Sequence, residues 1–245
     1  STGTQTITAN YSEAISSTPT ISIDQPGTTD IINATMTPPG SDWVAQTGAQ
    51  LNSFSSVAYG NGLFVAATNS LTNPITTSID GINWTLQNSP IFSISSIVYG
   101  NGLFVAVGSN GVYIMTSPDG INWTPRTPTE TNTWRSVAYG NGLFVAVSTD
   151  GTNRVMTSPN GITWTKRDIQ GASWNSITYS NGLFVAVSTS ATNNIMTSSD
   201  GINWTFYNGP QMTTISYGNG LFVGGYSNNI YTSPDGINWT QRLFS

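Results

Sequence analysis

The chain has 245 residues, of which only 7% are charged, and its formal net charge is −5. Its six Lys and Arg residues are scattered and too few to neutralise a phosphate backbone or bind an anionic membrane, so neither nucleic acid nor such a membrane is expected as a partner. No Cys is present for disulfide or thiol chemistry, no apolar run approaches the roughly 20 residues of a membrane span, and we find no signal-peptide pattern.

Residues 1–43 predict a small β segment with one apolar face, separate from the remainder at 44–245. Three stretches alternate apolar with polar residues. The apolar members, our candidate assembly residues, are Ile7, Tyr11, Ile21, Ile23, Ile32 and Met36. A sheet with one apolar face must be covered by something.

From residue 44 onward the chain is a repeat of about 40 residues. The segment Tyr59-Gly60-Asn61-Gly62-Leu63-Phe64 recurs from Tyr99, Tyr139, Tyr179 and Tyr217, at steps of 40, 40, 40 and 38 residues. A second landmark of the form Thr-Ser-x-Asp-Gly-Ile-Asn-Trp-Thr keeps phase with the first over five copies. Fixed periods of this length indicate a repeat architecture.

Each repeat predicts four strands, A to D, and no helix. In the third copy, strand A is Ser136–Tyr139, and Asn141-Gly142 is a hairpin turn because both residues tolerate positive φ. Strand B, Leu143–Val147, is apolar without alternation, as in a strand covered on both faces. Strand C precedes the second landmark, and strand D begins at its Trp. Four short strands per repeat are typical of a β-propeller blade, so we predict an all-β, five-bladed propeller.

The second landmark resembles the Asp-box of BNR and sialidase-type propellers, although it is one residue shorter than the usual box. The likeness of the repeats covers residues 44–241. In each copy an acidic or amide residue is expected to accept hydrogen bonds from turn amides, and a Trp to pack between strands. These structural residues are Asp80, Trp84, Asp119, Trp123, Asn160, Trp164, Asp200, Trp204, Asp235 and Trp239. Calcium sites are disfavoured because each box holds a single acid, so no metal is expected.

The N-terminal segment, residues 4–43, resembles the first half of a bacterial Ig-like repeat of surface adhesins. The likeness rests on residues 6–14, 18–23 and 33–37, followed by Trp43. Three covers for its apolar face remain open. It could form a degenerate sixth blade, since residues 36–43 echo the box. It could pack on the propeller flank, or a second subunit could complete it by strand addition.

Catalysis and cofactors are not expected from these residues. His is absent, which removes the commonest general base and zinc ligand. The resemblance to sialidases implies an arginine triad, but we identify no such triad in the repeats. The only acids of the propeller outside the boxes that could pair in the central funnel are Glu130, Asp150 and Asp168. A glycoside hydrolase is therefore disfavoured, and no catalytic residue is assigned.

Binding is expected on the face where the B–C and D–A loops differ between copies. The candidate ligand-binding residues are Arg135, Asn175, Asp150, Asn153, Asp168, Tyr207 and Tyr226. Trp134 and Trp174 align with Phe54, Ile94 and Met212, so this slot is interpreted as core. The positions that follow the slot vary freely. They are Ser55, Ser95, Arg135, Asn175 and Thr213.

These observations predict a binding or assembly protein rather than an enzyme. A surface rich in hydroxyls and amides is usual for secreted or cell-surface bacterial β-proteins, so we expect an extracellular or cell-surface location. The favoured function is adhesion or self-assembly, with the chain itself or a surface glycan or protein as partner. A lectin and a phage or virion structural protein are the alternatives.

Overall fold

The computed structural model describes residues 20–23 and 32–35 as backbone, and residues 54–68, 74–90, 93–108, 114–169 and 171–243 with their side chains. The chain divides into two compact units, Ser1–Gln46 and Thr47–Ser245. In the first unit, β1 (Thr20–Ile23) pairs antiparallel with β2 (Ile32–Thr35), and Ile21 lies opposite Ala34. The two strands form a sheet of their own.

The second unit is a five-bladed β-propeller, and each blade is a four-stranded antiparallel sheet in sequence order. Blade 1 contains β3 (Phe54–Gly60), β4 (Leu63–Thr68), β5 (Ile75–Ser78) and β6 (Thr85–Gln87). Blade 2 contains β7 (Ile94–Gly100), β8 (Leu103–Gly108), β9 (Ile114–Ser117) and β10 (Thr124–Arg126). Blade 3 contains β11 (Trp134–Gly140), β12 (Leu143–Ser148), β13 (Val155–Ser158) and β14 (Thr165–Arg167).

The last two blades follow the same order. Blade 4 contains β15 (Trp174–Ser180), β16 (Leu183–Ser188), β17 (Ile195–Ser198) and β18 (Thr205–Tyr207). Blade 5 contains β19 (Thr214–Gly218), β20 (Leu221–Tyr226), β21 (Asn229–Ser233) and β22 (Thr240–Arg242). The predicted five-bladed all-β architecture is confirmed, and the described residues contain no helix. Strand D starts one residue after the Trp, because the Trp still belongs to the turn.

The A–B hairpins form as their sequence predicts. In blade 3, Asn141 has φ 48° and Gly142 has φ 74°, the left-handed values that a two-residue turn of this kind requires. The pairing then runs from Gly140 opposite Leu143 to Trp134 opposite Ser148. The variable B–C and D–A loops consequently start from the opposite end of the blade.

The core lies between blades rather than inside them. Strand B is buried on both faces, and Val145 and Ala146 are both 0% exposed although they point to opposite sides. The slot residues Trp134 and Trp174 are also 0% exposed, which confirms their interpretation as core. Because each interface joins neighbouring repeats, stability is built from one repeat to the next.

Candidate functional site

A β-bulge at the start of the innermost strand separates the slot residue from the residue that follows it. In blade 3, Trp134 pairs with Ser148 and Ser136 with Val147, so Arg135 is the extra residue of β11. A bulge re-aims the side chain at which it occurs. Trp134 therefore enters the core, while Arg135 is exposed.

The same register shift recurs in blades 1, 2 and 4, so five equivalent positions meet around one central cavity. The shifts place Ser55, Ser95 and Asn175 where Arg135 stands in blade 3. Thr213, just before β19, supplies the fifth position. These five residues, with Ile94, line a cavity of about 240 Å³, which we call the funnel.

A second ring of hydroxyls lies next along the same strands and links one blade to the next. Ile177 N donates to Ser136 Oγ at 3.2 Å, and Ile97 N donates to Ser56 Oγ at 3.1 Å. Equivalent bonds join Val137 to Ser96 and Ile215 to Ser176. These hydroxyls accept the bonds that hold neighbouring blades together, and their own O–H groups line a second cavity beside the first ring.

Arg135 is the one charged residue of the funnel lining. Its guanidinium has no hydrogen-bond or ion-pair partner within the part of the chain that the structure describes. Around it, Ser55 Oγ donates to Ile94 O at 2.6 Å and Thr213 Oγ1 donates to Gly225 O at 3.1 Å. Hydroxyls that donate to the wall keep oxygen lone pairs free. The funnel therefore offers one fixed positive charge among neutral polar groups.

Sequence reasoning placed Arg135 and Asn175 at a site, and the structure brings them together. It did not select Ser55, Ser95 and Thr213 as ligand-binding residues, although their free variation after an apolar slot was a usable signal. Asn175 Nδ2 donates to Ser173 O at 3.1 Å, and its amide oxygen accepts no hydrogen bond from the described residues.

Asp150 and Asn153 are instead engaged in holding the loops of blade 3. Asp150 accepts two bonds of 2.6 Å from Thr133, one from the amide and one from the hydroxyl. Asn153 Nδ2 donates to Glu130 Oε1 at 2.8 Å, and Lys166 Nζ lies 3.2 Å from the same oxygen. The hydrogen bond from Asn153, followed by the one from Lys166, lowers the pKa of Glu130.

The other predicted loop residues lie in different surroundings. Asp168 is exposed beside β14, and Tyr207 is half-buried against the core between blades 4 and 5. Tyr226, at the end of β20, is 38% exposed. None of the three lines the funnel, so their role as ligand-binding residues stays a prediction.

The Asp-Gly turns between strands C and D use their acids as internal acceptors. Asp119 Oδ1 accepts from Ile121 N and Asn122 N at 2.9 and 2.8 Å, and Oδ2 accepts from Asn122 Nδ2. Trp123 Nε1 closes the turn by donating to Gly120 O at 3.0 Å. The bond from the Asn122 backbone, followed by the Asn122 side chain, holds the pKa of Asp119 well below its ordinary value.

The predicted role of these acids as turn acceptors is observed in every blade. Asn160 substitutes in blade 3, where its Oδ1 accepts from Ile162 N and Thr163 N at 2.9 Å. Among the residues with described positions, no three His, Cys, Asp or Glu side chains cluster as metal ligands would. No helix in that part of the chain could span a membrane.

The assembly residues of the N-terminal segment cannot be placed in the same way. Ile7, Tyr11 and Met36 lie outside the described residues. Ile21, Ile23 and Ile32 lie in the two-stranded sheet, of which only the backbone is described. The described residues form five four-stranded blades, and the alternative in which residues 1–43 add a degenerate sixth blade stays a prediction.

No protein-family model matches the chain, and no curated protein matches it. Solved structures do. Virginiamycin B lyase from Staphylococcus aureus superposes with a TM-score of 0.68 at 13% identity, over 79% of this chain and 71% of that one. The nidogen–laminin complex superposes with a TM-score of 0.59 at 13% identity, over 74% of this chain and 75% of that one. YCF48 bound to D1 peptide superposes with a TM-score of 0.58 at 18% identity, over 89% of this chain and 73% of that one.

These neighbours support the propeller fold and correct one expectation. The prediction that the chain is not an enzyme, made from its lack of His and of paired acids, is wrong as stated, since a lyase is among the similar structures. At such low identity the likeness shows the fold alone. The Asp-box and Ig-like resemblances gain no support from these matches.

Proposed function

We propose that the propeller is a ligand-binding module and that the funnel takes a carboxylate group of a sugar or a peptide. The observation that carries this proposal is the ring of four bulged residues and Thr213, which sets the unpartnered guanidinium of Arg135 among neutral hydroxyls and an amide. A guanidinium matches the planar, two-oxygen geometry of a carboxylate.

The size and polarity of the funnel limit what it accepts. A volume of about 240 Å³ takes one sugar ring or one amino-acid end, and a second polar cavity of about 290 Å³, lined by the same five residues and the second ring of hydroxyls, leaves room for the next unit of a longer ligand. Ser55, Ser95 and Thr213 supply short hydroxyls, and Asn175 an amide, as partners for the hydroxyls or amides next to the carboxylate. Nidogen and YCF48, whose structures contain laminin and a peptide, support a peptide ligand as one arm of the test.

The test compares acids with their neutral partners. Glucuronate against glucose, and an acetylated dipeptide acid against its amide, are titrated into the protein and followed by calorimetry and NMR shifts. We expect millimolar or tighter binding of one acid, and a tenfold or larger loss with Arg135→Gln. Arg126→Gln is the matched control, because it removes the same charge from a residue that donates to Thr116 Oγ1 in the outer part of blade 2.

The two arms separate a glycan ligand from a peptide ligand. If neither acid binds, or if Arg135→Gln binds as the wild type does, the funnel proposal is wrong. Adhesion and an extracellular or surface location are compatible with such a module and stay predictions. Incubation with intact bacterial cell walls, followed by pull-down of wild type and Arg135→Gln, measures the adhesion directly.

A further inference from the structure

The two rings of side chains around the central cavity leave different hydrogen-bonding groups free. In the first ring, Ser55 Oγ donates to Ile94 O and Thr213 Oγ1 donates to Gly225 O, so both oxygens keep lone pairs for a ligand. The amide oxygen of Asn175 accepts no hydrogen bond from the described residues. Three side chains of this ring therefore offer acceptors. The first ring consists of Ser55, Ser95, Arg135, Asn175 and Thr213.

The second ring leaves the opposite group free. Ser136 Oγ accepts the N–H of Ile177 at 3.2 Å, and no described residue accepts from the Ser136 hydroxyl. Its three counterparts accept from the next blade in the same way. A hydroxyl that already accepts a hydrogen bond is a stronger donor, because linked hydrogen bonds polarise one another. The serines whose O–H is unused among the described residues are Ser56, Ser96, Ser136 and Ser176.

The four serines line the second cavity, of about 290 Å³, together with Arg135. No Asp or Glu is among the described residues that line it. The residues that follow two of the serines, Val137 and Ile177, are each 5% exposed and belong to the core. Hydroxyl donors beside a fixed positive charge, with no carboxylate facing them, are suited to bind the oxygens of an anion.

Resting on the proposed function of the funnel, we propose that the ligand is a sugar acid that enters with its carboxylate first. The carboxylate oxygens accept hydrogen bonds from the serine hydroxyls of the second ring and from Arg135, which lines both cavities. The sugar hydroxyls remain in the funnel and donate to the three free acceptors of the first ring.

The free acceptors of the first ring favour a sugar acid over the acid end of a peptide. A hexuronic acid carries several hydroxyls on the ring that bears its carboxylate, and each hydroxyl can donate to one acceptor. The last residue of a peptide presents one backbone N–H beside its carboxylate, so it would leave most of these acceptors to water. The funnel volume of about 240 Å³ takes one sugar ring.

The backbone amides that bond to the second ring report whether the acid reaches it. When a serine O–H donates to a carboxylate, its oxygen becomes a better acceptor, and the amide proton bonded to that oxygen moves downfield in the NMR spectrum. Ile121 N and Ile162 N, which donate to Asp119 and Asn160 in the C–D turns, are the internal controls. The reporting amides are those of Ile97, Val137, Ile177 and Ile215.

Glucuronate, glucose and an acetylated dipeptide acid are titrated separately into the labelled protein. We expect glucuronate to shift the four reporting amides and to leave the two turn amides in place, while glucose at the same concentration shifts none of them. Ser176→Ala removes one donor to the carboxylate and should weaken glucuronate binding about tenfold. Ser173→Ala is the matched control in the same blade and should bind as the wild type does, because its hydroxyl donates to Thr149 O and lines neither cavity.

Ser176→Ala also removes the acceptor of the Ile215 N–H, so each variant is titrated well below its melting temperature. The wild-type shifts at Ile97 and Val137 test the proposal without any substitution. Glucuronate binding that Arg135→Gln weakens, but that leaves the four reporting amides unmoved, overturns the proposal while the proposed function stands. A dipeptide acid that shifts these amides when glucuronate does not, or a folded Ser176→Ala protein that binds glucuronate as the wild type does, also contradicts it. If neither acid binds, the proposed function fails as well.

Discussion

Replacing Gly140 with Ala tests whether neighbouring blades are held together where a tyrosine ring packs directly on a glycine of the preceding blade. Gly140 of blade 3 and Tyr179 of blade 4 form such a pair. The backbone of Gly140 does not have the positive φ that disfavours Ala, so the substitution acts only through its added methyl group. That carbon would lie 2.0 Å from Cγ and 2.1 Å from Cδ1 of Tyr179. Carbon atoms settle at about 3.5–4.0 Å, so the ring must move by roughly 1.5 Å.

The cost of this movement follows from the packing around the ring. Tyr179 contacts Phe184 at a ring separation of 4.5 Å inside a core of fully buried side chains. Overpacking of this kind costs about 1–3 kcal/mol. For a chain of this size each kcal/mol lowers the melting temperature by about 2–4 °C, so a fall of about 2–12 °C is expected.

Blade 4 provides a natural comparison, because Ser180 carries a Cβ at the position that glycine occupies in the other blades. The ring of the next tyrosine, Tyr217, lies at 65° to Phe222 and 4.8 Å from it, whereas Tyr139 lies at 48° and 4.5 Å from Phe144. Where this position carries a Cβ, the next tyrosine ring is therefore tilted further from its phenylalanine partner. The expected cost of Gly140→Ala is the cost of forcing this turn where the core is packed for the other ring position.

The measurement is thermal unfolding by calorimetry at low protein concentration, with Gly218→Ala as matched control. The control places the same methyl group in open space, and by restricting the unfolded chain it should stabilise by about 0.4–1 kcal/mol. Equal changes in the melting temperature of the two variants, or no destabilisation by Gly140→Ala, would refute the idea that the glycine–tyrosine contacts hold neighbouring blades in place.

Three further predictions concern the blade links and the turns. Ser136→Ala leaves the buried N–H of Ile177 without its acceptor and is expected to cost about 1–3 kcal/mol in denaturant unfolding, whereas Ser136→Thr retains the hydroxyl and much of the stability; equal losses would contradict the link. Asp119→Ala removes the acceptor of two turn amides and should lower stability by about 1 kcal/mol, against no loss for Asp168→Ala, whose side chain is exposed beside β14. Four turn carboxyls have a pKa held below the ordinary value, so at acidic pH the folded state binds fewer protons than the unfolded state. Their contribution to stability is fully present above about pH 4 and is lost as the pH falls further. A denaturant midpoint that stays the same between about pH 4 and about pH 2 would contradict this. These carboxyls are Asp80, Asp119, Asp200 and Asp235.

Local chemistry repeated five times made much of the fold predictable. The Asn141-Gly142 hairpin, the Asp119 turn and the apolar slot at Trp134 each depend on a few adjacent residues, and each occurs as expected. The loop residues were less predictable. Nothing in the sequence indicates that Asp150 accepts from Thr133, because that contact joins two loops whose approach depends on the whole blade.

The sequence by itself determined the number of blades, the order of their strands and the apolar positions that recur in each blade, because repeat phase and turn chemistry are local. Only the tertiary structure decided where Arg135 points, because a bulge depends on the register between β11 and β12. It also decided that Val57 and Val223 stay exposed while their counterparts are buried, because burial at an end blade depends on what packs against it and not on the residue itself.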